Sequence, residues 1–142
     1  MNREEYAEFL KNKSGSFKIG ELTQKVIDLL EIEDMNPRSI ILTYDRIENH
    51  TLKHLQDFKD DEEFYRHISL LPEIIEKPDY VGLHPSNNSI QYIKRYTDIS
   101  GDILIGIRLR KIGVLFYRSS YKITKKQFND YLSAGTIKKF KN

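Results

Sequence analysis

The chain has 142 residues, 31% of them charged and 39% apolar, a length and mixture that fit one globular domain with its own core. It contains no cysteine, which excludes disulfides, thiolate metal sites and thiol catalysis. The net charge of +2 conceals a split: residues 1–80 hold 11 Lys and Arg against 18 Asp and Glu, whereas residues 81–142 hold 12 against 3. So basic a second half suggests an anionic partner; the alternative is that the two halves pair with each other in the fold.

The opening MNREEYAEFLKNK is charged and lacks the apolar stretch of a signal peptide. No run approaches the ~18 apolar residues of a membrane span, so a cytoplasmic protein with no membrane partner is expected. Asn2 is placed to cap a helix reaching about Lys11, and Ser14-Gly15-Ser16 breaks it. Phe17, Ile19 and Leu22 lead into a helix near Leu22–Leu30, with Val26, Leu29 and Leu30 on one face. After the Met35-Asn36-Pro37 turn, Ser39–Leu42 reads as a short apolar strand. Asp45 followed by Glu48 has the outline of a capping box. It predicts a helix to about Phe58, with Ile47, Thr51, Leu55 and Phe58 as its stripe and His50 and His54 beside it. Asp60 and Asp61 open a further helix carrying Phe64, Ile68 and Leu71, restarted at Pro72 and ended at Pro78. His67 lies in this acidic stretch and reads as a surface group.

From Pro78 the pattern changes to strands. Tyr80–Leu83 is short and apolar, His84 to Asn88 is a turn cluster, and Ser89–Tyr96 is rich in β-formers. Asp98 to Gly101 is a turn. Ile103, Ile105, Ile107 and Leu109 then alternate with the residues between them, and Lys111-Ile112-Gly113 connects to a partner strand from Val114 to Tyr121. Thr124 caps a last helix, with Phe128, Tyr131 and Leu132 inward and Gly135 at its end, and Thr136–Phe140 offers an edge strand. The sum is an α+β fold in a single domain over 1–142. N-terminal helices (1–78, mainly helical) are followed by a four-stranded antiparallel sheet and a C-terminal helix (79–142).

One face of such a sheet takes the helices, and the other is expected to be free for a ligand. That face is expected to carry Arg108 and Arg110, with Lys94 and Arg95 near Tyr92 and Tyr96, and the ending Phe116-Tyr117-Arg118-Ser119-Ser120-Tyr121. Cations pair with phosphates and rings stack on splayed bases, so interleaved Arg, Lys, Tyr and Ser suit single-stranded RNA. The alternative is an ordinary sheet with core aromatics and solvated arginines.

Three segments, Asp45–His54, Pro78-Asp79-Tyr80-Val81 and Arg118-Ser119-Ser120-Tyr121, together with the opening FKIGELTQKVIDLL, resemble the phage-associated branch of the barnase–EndoU–colicin–RelE (BECR) nucleases. The resemblance spans about residues 17–140. It implies helices followed by a four-stranded antiparallel sheet, and metal-independent cleavage of RNA by a toxin or phage-associated effector. Two positions depart from the family pattern. His50-Thr51-Leu52-Lys53-His54 is one residue shorter than the family's His-Ile-x-x-x-His, and Ser119 stands where threonine is usual. A fold kept as a silent RNA- or protein-binding regulatory module is therefore the alternative.

Metal-free cleavage requires a base for the ribose 2′-OH, a cation for the phosphorane and an acid for the leaving oxygen. Histidine suits the first and last, and arginine suits the phosphorane. The candidates are His50 and His54 as base and acid, with Arg118, Ser119 and Tyr121 completing the catalytic group. Arg108, Arg110, Lys94, Arg95 and Ser120 are candidate substrate contacts. The histidine pair also admits a structural reading, and a zinc reading that would require further ligands. No metal or cofactor is expected. The expected partners are RNA and a protein antitoxin or host target.

Overall fold

The computed structural model describes residues 3–86, 88–96 and 101–141. The cap at Asn2 and most of the turn at Asp98–Gly101 lie outside them. Among the described residues, seven strands form one sheet. They are β1 (Ser16–Leu22), β2 (Arg38–Thr43), β3 (Tyr80–Leu83), β4 (Ser89–Lys94), β5 (Asp102–Arg108), β6 (Leu115–Ile123) and β7 (Ile137–Lys139). Their order is β1-β2-β6-β5-β4-β3-β7.

The expected four-stranded meander is present as β3-β4-β5-β6, all antiparallel. Three strands extend it. β7 pairs with β3 on one edge, as the Thr136–Phe140 pattern anticipated. On the other edge β2 pairs parallel with β6 and carries β1 antiparallel beside it. The stretch 1–78, expected as mainly helical, thus also contributes two strands to the common sheet. The expected helical lead-in at Phe17–Leu22 is β1. The reason is a register shift between Lys18 and Gly20, which places Ile19 and Leu22 both inward although they stand three residues apart.

The helices are α1 (Arg3–Asn12), α2 (Gln24–Leu29), α3 (Tyr44–Asn49), α4 (Asp61–Ser69), α5 (Leu71–Glu76) and α6 (Lys125–Ala134). Asp60 caps α4 by accepting from Glu63 N. Thr124 and Gln127 form a reciprocal capping box on α6, and Gly135 ends it in the left-handed region at φ 74°. Ile90, Tyr92, Ile103, Ile105, Ile107, Leu115 and Tyr117 share a core with Phe64, Ile68, Leu71 and Ile74 of α4 and α5. The opposite face is not free along its whole length. At one end Ile93, Leu104 and Ile123 pack with Phe128 of α6 and Ile137 of β7. Leu132, expected inward on α6, is exposed. The uncovered end of this face lies over the first half of β6 and the second half of β5.

Candidate active site

β2 stops pairing with β6 at Phe116, and the chain then turns into α3. The next residues lie along the part of the β6 edge that β2 leaves open. The expected helix from Asp45 to Phe58 is not continuous. Thr43 occupies the N-cap without a side-chain cap bond, α3 ends at Asn49, and a 3₁₀ helix runs from Thr51 to Asp57. His50 is the break, at φ −127° and ψ −52°. The cause is side-chain bonding: the Thr51 hydroxyl bonds to Arg46 O nearby (3.4 Å) and to Tyr117 Oη across the fold (2.6 Å), interactions that compete with a continued helix. The guanidinium of Arg46 donates twice to the Arg118 carbonyl, at 3.0 and 2.7 Å, and so satisfies a strand-edge oxygen that β2 does not reach.

The break and the strand enclose a cleft of about 540 Å³. Arg46, His50, Lys53 and His54 form one wall, and Arg108, Phe116, Arg118 and Ser119 form the other. Among the described residues no carboxylate lines it. The β5–β6 pairing explains the second wall. A shift between Gly106 and Ile107 lets Arg118 bulge, so that Arg108, Arg118 and Ser119 all border the cleft. Arg118 also donates to Ser89 Oγ at 3.3 Å.

The two histidines are in different situations. His50 is held below the ordinary imidazole range, by partial desolvation first and then by the charges of Arg46 and Lys53, against Asp45. A neutral ring at this place is a proton acceptor. The His54 ring stacks on Tyr121, with centroids 4.9 Å apart, and its Nδ1 lies 3.1 Å from Asp57 Oδ2. With Nδ1–H donated to that carboxylate, Nε2 is the ring nitrogen left to exchange a proton in the cleft. Tyr121 is half-buried and raised above the ordinary phenol range, chiefly by desolvation.

The sequence candidates are thus partly gathered. His50, His54, Arg108, Arg118 and Ser119 line the cleft, Tyr121 lies against His54, and Arg110 stands over the Phe116 ring at 5.4 Å. Lys94 and Arg95 are elsewhere: Lys94 bonds to Lys77 O and Asp79, and Arg95 bonds to Asp79 and Asp102 and covers the Phe128 ring. Both sit at the far end of β4, beside the α6 cover. Ser120 is buried on the opposite face, between His67 (2.7 Å) and Tyr117 (2.7 Å). Tyr92, expected as a stacking surface, is fully buried in the core. His67 is no surface group: it is 0% exposed and stacked on Phe58, and burial pushes it down to about 3.

Phe116 belongs to the strand ending expected on the open face, whereas sequence reasoning missed Arg46, Lys53 and Asp57. Of these only Asp57, three residues after His54 in a helical pattern, had a readable signal. Among the described residues no group of three or more His, Cys, Asp or Glu gathers as metal ligands, and no helix is long and apolar enough to cross a membrane. No curated protein and no solved structure matches the chain. Residues 17–130, which span both walls of the cleft and the sheet beneath it, match the family described as phage-Barnase-EndoU-ColicinE5/D-RelE like nuclease3, and the chain belongs to this nuclease family.

Proposed function

We propose that the protein is a metal-independent ribonuclease of phage or mobile-element origin that cleaves RNA by transesterification. The observation that carries this reading is the cleft itself, which puts two histidines opposite two arginines and a serine with no carboxylate among them. In the reaction the ribose 2′-oxygen forms a bond to the adjacent phosphorus and the bond from phosphorus to O5′ breaks. His50, kept neutral by its surroundings, accepts the 2′-OH proton. His54, held by Asp57 through Nδ1 and entering the reaction as the imidazolium, donates its Nε2 proton to the departing O5′. Arg118 and Arg108 face the phosphorane, where charge accumulates, and Ser119 orients a phosphate oxygen. Phe116 and the His54–Tyr121 stack offer ring surfaces for flanking bases. The products are a 2′,3′-cyclic phosphate and a 5′-hydroxyl.

The test is incubation of mixed RNA with the protein in excess EDTA, beside His50→Ala and His54→Ala. Cyclic phosphate ends are expected, with the rate falling on the order of 100-fold or more in each variant. An inert wild-type protein that still retains RNA would instead identify a binding module.

A further inference from the structure

We infer that His67, from the opposite face of the sheet, positions the two cleft histidines through a directed chain of buried hydrogen bonds. This rests on the ribonuclease reading for its consequence, though not for its geometry.

The chain runs His67 Nε2, Ser120 Oγ (2.7 Å), Tyr117 Oη (2.7 Å), Thr51 Oγ1 (2.6 Å), Arg46 O (3.4 Å). His67, Ser120, Tyr117 and Thr51 are each at most 1% exposed, so solvent does not compete for these bonds. The last member fixes the direction of the rest. A carbonyl oxygen only accepts, so Thr51 donates to Arg46 O. Having spent its proton there, Thr51 accepts from Tyr117, Tyr117 accepts from Ser120, and Ser120 accepts from His67. His67 must then carry its proton on Nε2. The carbonyl at one end thus sets the sense of four bonds and the imidazole tautomer at the other.

The end of the chain is the point at which α3 breaks. Arg46 O accepts from Thr51 Oγ1 and also from His50 N at 3.0 Å. The Arg46 side chain grips the Arg118 carbonyl. The hydrogen bonds therefore close a loop between β6 and the α3–3₁₀ junction. His50 and His54 lie on the junction side, and Arg118 and Ser119 lie on the strand side. Loosening the loop lets one wall of the cleft move relative to the other, and displacements near 1 Å cost on the order of 100-fold in rate.

Tyr117→Phe and Thr51→Val remove hydroxyls at nearly constant shape, with Thr51→Ser as the conservative rescue. The expected result is a fall in kcat on the order of 10–100-fold with KM little changed, restored in large part by Thr51→Ser. Unchanged kcat in folded Tyr117→Phe and Thr51→Val overturns the inference. A second readout does not depend on cleavage. Nitrogen-15 NMR of the wild-type imidazoles should show His67 protonated on Nε2, and the His54–Tyr121 ring contact should weaken in Tyr117→Phe. An Nδ1–H tautomer, or a ring contact unaltered in the variant, overturns the positioning role. If the wild type cleaves no RNA while both NMR results hold, the ribonuclease reading fails and the positioning network stands.

Discussion

At the scale of single residues, the burial of His67 makes stability depend on pH. A histidine between acidic residues looks solvated in sequence. In the fold its ring is stacked on Phe58 (4.8 Å) and meets Phe64 edge-on (5.5 Å), with Ser120 as its polar partner. Desolvation, helped by the charge of His54 and opposed by the Phe64 backbone, lowers its pKa from 6.5 to about 3. The sign of the linkage follows. Between those values the unfolded chain binds a proton that the folded chain does not, so stability is intact above 6.5 and is lost as the pH falls toward 3. The limiting slope is about 1.4 kcal/mol per pH unit. Carboxylates titrate below about pH 4.5, so the window that isolates histidine lies above that. His50 is lowered as well and acts in the same sense, weakened by its access to solvent. Urea unfolding should show a falling midpoint from about pH 7 to pH 5, and His67→Phe should flatten it. An equally steep fall in that variant would mean that His67 is not the buried neutral group responsible.

At the scale of elements, the edge strand β1 depends on one close approach. A Cβ on Gly20 would lie 2.7 Å from Ile75 Cγ2 of α5, closer than packed atoms tolerate. Gly20→Ala should therefore destabilise by about 1–3 kcal/mol, and Ile75→Ala, which removes Cγ2, should make the pair less than additive in a urea double-mutant cycle. Full additivity would show that the two elements adjust independently. The same strand marks the limit of what the sequence disclosed. β3 to β5, α4 and α6 were legible because their apolar periods are unbroken and their caps, Asp60 and Thr124 with Gln127, are local, and β6 was legible as a strand from its β-formers but not in its bulge at Arg118. β1 was not, because a register shift at Lys18–Gly20 spaces Ile19 and Leu22 as a helix would. The α3 break was not, because it is made by bonds between Thr51 and Tyr117, 66 positions apart. For the cleft, residue types named His50, His54, Arg108, Arg118 and Ser119. They could not show which way a strand residue faces after a bulge, nor that Ser120 turns inward while Ser119 does not.

At the scale of the whole molecule, the charge split is resolved in two ways at once. Lys94 with Asp79, Lys122 with Glu63 and Lys138 with Glu31 join the basic second half to the acidic first half. Of the four cleft cations Arg46 is committed to the Arg118 carbonyl, while Lys53 on one wall faces Arg108 and Arg118 on the other across a space that no described acidic residue lines. From Ile103 to Asn129, the stretch that supplies one cleft wall, the sequence contains no Asp or Glu. A single strand of RNA following the cleft would meet these three cations and release their counterions. Its binding should then weaken with salt at a slope of about −2, near −0.7 for each phosphate engaged. Arg108→Ala should reduce the slope by roughly one such step, whereas Lys94→Ala and Arg95→Ala, at the far end of β4, should leave it unchanged. These measurements use protein carrying His54→Ala, so that substrate persists while it is bound. A slope that responds to Lys94 and Arg95 instead would move the RNA path off the cleft and onto the α6 end of the sheet. The two histidines would then be left with no phosphate to act on.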